Sequence, residues 1–266
     1  MIKIGSLAKT QQAKQHGFSR SSLYYKKTLP FKDWQLKITI EETLHKEPSY
    51  GHKRLADHLG VGKAKVLRVM KIFGIKPYRR RRAKKWKKAD KPALIYPNLL
   101  MQTFPSEVNQ IWVSDFTRLN HQGQIVYLAT IMDIFNREIV GYSVMLGHGV
   151  SLVINALLSA LNQRPSPAIL HSDQGSEYTS KGYLDLVELF RIEISMSRKA
   201  SPWENGYQES FYNQFKVDLG DPNRFDSLGE LIYAIYQQVH HYNNERIHTA
   251  LKTSPRNYLK SLKTAA

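Results

Sequence analysis

The charge of this chain is concentrated at one end, and this asymmetry constrains the fold more than any other feature. Residues 1–92 contain 25 Lys and Arg against 6 Asp and Glu, a net charge of +19. Residues 93–266 contain 14 basic and 16 acidic residues, a net charge of −2. That second region is long enough to bury a core of its own. The sequence therefore predicts a basic N-terminal arm joined to a larger, near-neutral domain.

Composition excludes several classes of protein. Hydrophobic residues at 42% and aromatic residues at 11% indicate a folded chain. The absence of Cys excludes disulfides, iron–sulfur clusters and zinc sites that need thiolates. No apolar run approaches the ~20 residues of a membrane helix, and Met1–Gln11 does not resemble a signal peptide. We expect an intracellular protein without a membrane partner, whose net charge of +17 favours nucleic acid as the partner.

Apolar spacing in the arm predicts three helices. The first covers Lys32–His45, the second runs from a cap at Ser49 to Leu59, and the third covers Lys63–Phe73. Gly60-Val61-Gly62 separates the last two helices. Two short helices around a glycine-containing turn are typical of a helix-turn-helix. The alternative is an ordinary helical hairpin with a solvated basic face.

Two groups of basic residues in the arm are candidate DNA contacts. In the third helix, Lys63, Lys65 and Arg68 lie largely off the apolar face. A basic run follows, and its charge favours phosphate binding over the alternative of a flexible linker. Trp86 within this run is a candidate for stacking on a base. The basic residues of the run are Arg79, Arg80, Arg81, Arg82, Lys84, Lys85, Lys87 and Lys88.

The arm gives way to a different pattern near residue 108. Prolines at 92, 97 and 105 indicate a linker. We expect a helix-turn-helix region at 1–75, a basic linker at 76–107 and a catalytic core with a helical extension at 108–266. Within that core the predicted order is βββαβαβα, an α/β domain with a mixed sheet. The strands are expected at Ile111–Thr117, Gln124–Met132, Glu138–Met145, Ala168–Ser172 and Ile192–Met196, and the helices at Ser151–Leu161, capped by Ser151, Ser180–Phe190, Glu204–Leu219 and Leu228–Tyr242.

Three carboxylates occupy distinctive places in this order. Asp115 lies among apolar residues of the first strand, where an unpaired charge costs free energy. Asp173 follows the fourth strand, and Gly175 allows a tight turn after it. Glu209 lies within a long helix. If the three converge, they form an all-oxygen site suited to a hard divalent cation.

Helical geometry predicts the orientation of Glu209. Asn213 and Lys216 share its face, whereas Phe211 and Phe215 lie on the opposite face and anchor the helix to the sheet. Lys216 is therefore placed to reach a phosphate beside the carboxylates.

Histidines are weaker candidates. His240, His241 and His248 suggest a metal site, but packing or a contact with the DNA backbone is favoured, because the first two residues are adjacent on a helix. His171 either hydrogen-bonds Asp173 or packs in the core.

The spacing of the acidic residues and the sequence motifs around them resemble those of a known family. Asp173 and Glu209 are separated by 35 residues, as in the DDE (DD35E) transposases and retroviral integrases. The chain resembles in particular the OrfB transposases of the IS-three-type bacterial insertion sequences. It departs from them at Ile247, where the family usually has Pro, and at Glu177, where Gln is frequent. The matching sequence segments are Tyr50–Leu55, Trp112–Thr117, His171–Gly175, Ser201–Phe211 and Tyr242–Leu251.

The resemblance implies a fold and a mechanism. The fold is an RNase H-like mixed five-stranded sheet with flanking helices, preceded by a small all-helical region. Asp115 would bridge two Mg²⁺ ions, with Mn²⁺ as a substitute, while Asp173 binds one ion and Glu209 the other. Water would cleave the donor end, and the freed 3′-hydroxyl would join it to target DNA. Lys216 and Asn205 match family positions and are expected to contact DNA.

The resemblance also implies partners. These are double-stranded DNA of the transposon ends and the target, further copies of the chain, and an OrfA-type protein from an upstream frame, often fused by frameshifting. A bacterial cytoplasmic, nucleoid-associated location follows. Without Cys, the zinc module of retroviral integrases is absent, so the helix-turn-helix takes the end-binding role. Two alternatives stay open: a non-catalytic DNA-binding regulator and an RNase H-like nuclease.

Overall fold

The N-terminal arm forms three helices around a small core. The computed structural model describes residues 17, 29–78, 96–101, 103–198 and 205–265. The helices are α1 (Leu29–Lys46), α2 (His52–Leu59) and α3 (Lys63–Ile72). Gly60 ends α2 in the left-handed region at φ 63°, where glycine is favoured. The three predicted helices are therefore present, with Leu36, Ile40, Leu55, Val66 and Val69 in their shared core, and their interpretation as a DNA-binding helix-turn-helix stays a prediction.

One predicted cap in the arm is wrong. Ser49 does not cap α2, which begins after Gly51 without any side-chain cap. The Ser49 hydroxyl instead accepts a hydrogen bond from Arg246, near the other end of the chain. A long-range contact has replaced the local one.

The rest of the chain forms a mixed five-stranded sheet in the order β3-β2-β1-β4-β5. β1, β2 and β3 form the predicted antiparallel meander, and β4 and β5 extend it in parallel with β1. The strands are β1 (Ile111–His121), β2 (Gln124–Asp133), β3 (Ile139–Met145), β4 (Ile169–Ser172) and β5 (Glu193–Met196). The helices are α4 (Val150–Leu161), α5 (Lys181–Leu189), α6 (Gly206–Leu219), α7 (Leu228–Asn244) and α8 (Pro255–Ala265).

Helices cover both faces of the sheet, as expected for this fold class. Alternating residues of β1 divide between two buried clusters. Val113 belongs to the cluster that includes residues of α6 and α7, and Trp112 to the cluster that includes residues of α4 and α5. No helix in the described part of the chain is long and apolar enough to cross a membrane.

One predicted cap in the core is wrong. Ser151 does not cap α4, because the helix starts one residue earlier, after Gly149, with no side-chain cap. The last helix, α8, lies within the helical extension expected at the end of the core, and it packs against α7.

A buried arginine joins the arm to the core. Arg246 is 1% exposed, and its Nε donates to Asp218 at the end of α6 at 2.7 Å. Another of its nitrogens donates to Ser49 Oγ at 2.8 Å. The Tyr50 hydroxyl accepts a hydrogen bond from the Ile247 backbone at 2.9 Å. The arm therefore packs directly on the segment that follows α7.

The contact between β3 and α4 leads to a stability prediction. A Cβ added at Gly141 would lie 2.5 Å from the Ala156 carbonyl oxygen of α4. Since backbone cannot yield cheaply, Gly141→Ala should lower the free energy of unfolding by about 1–3 kcal/mol. Urea denaturation measures this change. Gly147→Ala is the control, because a Cβ there meets no atom within 4 Å, and equal effects in both variants would contradict the close approach.

Candidate active site

The pairing of β1 with β4 places two of the predicted carboxylates side by side. The strands are parallel, with Val113 opposite His171. Asp115 lies two residues after Val113, and Asp173 lies two residues after His171, so the two aspartates reach the same level. Neighbouring strands lie about 4.8 Å apart, so the two side chains share one end of the paired segment.

Helix α6 is fixed over β1 by two buried polar side chains. Gln208 donates to the Val113 carbonyl at 2.8 Å and accepts from the Thr130 hydroxyl at 3.0 Å. Tyr212 donates to the Asp115 carbonyl at 2.7 Å. These bonds set both the height and the rotation of the helix. They place Glu209, the neighbour of Gln208, beside β1.

Glu209 faces outward, as the helical geometry predicts. Glu209 and Asn213 are exposed, whereas Phe211 and Phe215 are buried in the core. Lys216 is half-buried. The positive charge of Lys216 lowers the pKa of Asp115, so the two groups lie within electrostatic reach.

The pKa of Asp115 shows that the carboxylates interact. Burial is the largest cause of its rise to about 7, and the negative charge of Asp173 is the next. The charge of Glu209 raises it further, while the Phe116 N–H, which donates at 2.8 Å, and Lys216 oppose the rise. All three predicted carboxylates are therefore coupled electrostatically.

Asp173 has a second acidic neighbour. Burial raises the pKa of Asp173, the Gly175 N–H lowers it through a 2.9 Å hydrogen bond, and the charge of Glu177 raises it. Burial of Glu177 itself is outweighed by hydrogen bonds from His148 and Ser176, so the pKa of Glu177 is lowered. The negative charge of Glu177 thus acts on the predicted metal site.

The donor set fits a hard divalent cation. It consists of carboxylate oxygens, and two of its members have raised pKa values that a nearby positive charge would reverse. Within the described residues, no three His, Asp or Glu side chains already stand close enough to hold one ion. Glu209 is exposed on α6, and its charge acts on Asp115.

The remaining predicted site residues differ in their placement. Lys63 and Lys65 are exposed on α3, as a DNA-contacting face requires. Arg68 forms a two-bond pair with buried Asp33 of α1, at 2.7 and 2.6 Å, so much of its guanidinium is occupied.

Asn205 is 7% exposed, with its amide 3.5 Å from the Ser114 carbonyl. DNA contact by Asn205 or by the three basic residues of α3 stays a prediction, and the run Arg79–Lys88 with Trp86 lies outside the described residues.

Two of the candidate histidines are engaged within the protein. His241 lies between Glu47 of the arm and Glu245, and the hydrogen bond with Glu47 is the main cause of its raised pKa. His171 is buried, and its Nδ1 lies 2.8 Å from Ser195 Oγ. His241 therefore packs as the favoured interpretation predicts, and burial in the core is one of the two possibilities left open for His171.

Sequence reasoning missed Gln208 and Tyr212. Both lie on the buried stripe of α6 that also carries Phe211 and Phe215. A glutamine at such a position is a detectable signal, because a buried amide needs partners for its donors and its acceptor.

Tyr212 leads to a prediction about the anchoring of α6. Tyr212→Phe keeps the ring but leaves the Asp115 carbonyl without this donor. The free energy of unfolding should fall by about 1–2 kcal/mol in urea denaturation. Tyr207→Phe on the exposed side of the same helix is the matched control and should change little. An unchanged stability in Tyr212→Phe would show that the bond does not hold the helix.

Comparison with known proteins identifies the family. Two models of the integrase core domain match residues 105–202 and 190–255. The transposase of insertion sequence element IS904 from Lactococcus lactis is 35% identical over 63% of this chain and 68% of its own length. The putative transposase InsK of insertion sequence element IS150 from Escherichia coli is 30% identical over 88% of this chain and 86% of its own length.

A solved structure supports the fold. A chain of the simian T-cell lymphotropic virus intasome, solved in complex with the PP2A regulatory subunit B56 gamma, superposes with a TM-score of 0.50 at 17% identity. The match covers 80% of this chain and 72% of that chain. It confirms the expected RNase H-like, integrase-type architecture. The chain belongs to the family of insertion-sequence transposases built on an integrase core domain.

Proposed function

We propose that this transposase cleaves the ends of its element and joins them to target DNA at Asp115, Asp173 and Glu209, with Mg²⁺ as the metal. The observation that carries the proposal is the placement of Asp115 on β1 beside Asp173, which directly follows the paired strand β4, with α6 and its Glu209 bonded to β1. Phosphodiesters are anionic and would be repelled by this cluster. A cation between the cluster and the substrate removes that repulsion.

The three carboxylates would hold two divalent cations, Mg²⁺ or Mn²⁺ in its place. Such cations activate the attacking oxygen and stabilise the leaving oxygen of an in-line displacement. The protein positions its carboxylates through the sheet, because Asp115 lies on β1, Asp173 directly follows its paired strand β4, and α6 is bonded to β1. Lys216 lies near Asp115 and would contact a phosphate oxygen of the substrate.

One site serves both reaction steps. Water attacks in donor cleavage and the freed 3′-hydroxyl attacks in strand transfer, so only the attacking oxygen differs.

The basic arm would bind double-stranded DNA through Lys63, Lys65 and the run Arg79–Lys88, and two ends require more than one copy of the chain. The upstream companion protein and the cytoplasmic, nucleoid-associated location stay predictions.

A strand-transfer assay tests this function. Duplexes with the terminal sequence of the element are incubated with Mg²⁺ and plasmid DNA, and joined products are quantified. Asp115→Asn, Asp173→Asn and Glu209→Gln should each lower cleavage and joining by more than about a hundredfold, since loss of outer-sphere groups alone costs 10–100-fold. Glu193→Gln, at an exposed glutamate of β5, is the control and should keep activity.

The outcomes separate the alternatives. Joining that persists in Asp115→Asn and Glu209→Gln would contradict the proposal. Binding of end DNA without cleavage by the native chain would favour a regulator. Non-specific hydrolysis without joining would favour a nuclease.

A further inference from the structure

A groove runs along the boundary between the arm and the core. It has a volume of about 670 Å³ and is open to solvent. The core contributes Arg118, Asn120, Lys216 and Asn223, and the arm contributes Pro48 and Tyr78. No role has been assigned above to Arg118, Asn120 or Asn223.

The groove and the carboxylates share β1 and α6. β4 pairs with β1 only as far as Val113, so beyond Asp115 that edge of β1 carries no further strand among the described residues. Arg118 and Asn120 follow on this part of β1. Lys216 lines the groove and also acts electrostatically on Asp115. A chain molecule lying in the groove would therefore extend from the carboxylates along β1.

The charge of the groove suits a phosphate backbone. Arg118 is exposed, and its guanidinium has no hydrogen-bond or ion-pair partner among the described residues. Lys216 adds a second cation. Asp221 is the acidic residue that lines the groove. One of its carboxylate oxygens accepts hydrogen bonds from the backbone and side-chain amides of Asn223, at 2.9 and 3.0 Å.

The two walls of the groove are held together by the buried arginine. Arg246 bonds to Ser49 and to Asp218. Ser49 adjoins Pro48 on the arm wall, and Asp218 adjoins Val217 on the core wall. The two bonds therefore connect the walls directly, and such a connection lowers the entropic cost of ordering them on binding. Tyr78 extends the arm wall through a 3.0 Å backbone bond to Pro48 and directly precedes Arg79 of the basic run.

We propose that this groove binds the phosphate backbone of duplex DNA as it leaves the catalytic carboxylates, with Arg118 as its main phosphate contact beyond the site. The inference rests on the proposed function for the identity of the ligand. It adds a path: the DNA passes from Asp115 along β1 and between core and arm as far as Tyr78.

Disulfide trapping tests the path directly, because the native chain contains no Cys. Asn120→Cys places a single thiol in the groove, and Lys181→Cys places one on α5, away from it. Each full-length variant is mixed, without divalent metal, with duplexes that carry a tether activated as a mixed disulfide at successive phosphates from the end, so that the protein thiol displaces the small thiol by exchange. Asn120→Cys should crosslink several-fold more than Lys181→Cys, with a maximum at one tether position.

Salt dependence gives an independent measurement. In metal-free anisotropy titrations, Arg118→Ala should weaken duplex binding several-fold and lower the slope of log K against log salt by about one. Arg118→Lys should restore the slope, and Lys181→Ala should leave affinity and slope unchanged.

The results distinguish the groove from the proposed function. Equal crosslinking of both cysteine variants, or an unchanged slope in Arg118→Ala, would overturn the groove even if native protein joins DNA. Selective crosslinking at Asn120→Cys by a protein that neither cleaves nor joins would support the groove and contradict the proposed function.

Discussion

The parallel pairing of β1 with β4 is the constraint on which the site depends. It brings Asp115 on β1 level with Asp173, which directly follows β4; burial raises the pKa of both, and the charge of Asp173 raises that of Asp115 further. A fold does not place two acids in this way without a compensating charge, because desolvated carboxylates cost several kcal/mol unless they are paired. The third acid arrives on α6, whose position is set by hydrogen bonds to the β1 backbone. Strand pairing and helix anchoring therefore assemble one coupled site from three distant parts of the sequence.

A second long-range contact gives the molecule its other functional property. Arg246 is buried and bonds to both the arm and the end of α6, so the arm is joined directly to the helix that carries Glu209. A buried guanidinium is favourable only with its partners in place, which makes this junction specific. The arm and the core together line the groove that contains Arg118 and Lys216.

Much of the fold and of the candidate site was predictable from the sequence, and the features that were not predicted share one cause. The strands of the meander, α3 and the outward orientation of Glu209 follow from local periodicity, and the structure confirms them. The caps assigned to Ser49 and Ser151 were wrong, since capping depends on competing partners that local sequence does not reveal. Ser49 is engaged by a residue 197 positions away. Gln208, Tyr212 and Arg118 were missed for the same reason: their roles depend on which strand or groove lies opposite them. Arg68 looked like a free cation, but α1 supplies Asp33 as its partner.

The central claim is that Asp115, Asp173 and Glu209 act as one site that a divalent cation completes. The most direct test is the pKa of the Asp115 side chain, followed by carboxyl-carbon NMR in the full-length protein. Without metal, the pKa should lie near 7, and Asp173→Asn should lower it by removing the adjacent charge. Saturating Mg²⁺ should lower it in the native chain. A metal-free pKa near 4 that responds neither to Asp173→Asn nor to Mg²⁺ would contradict the account.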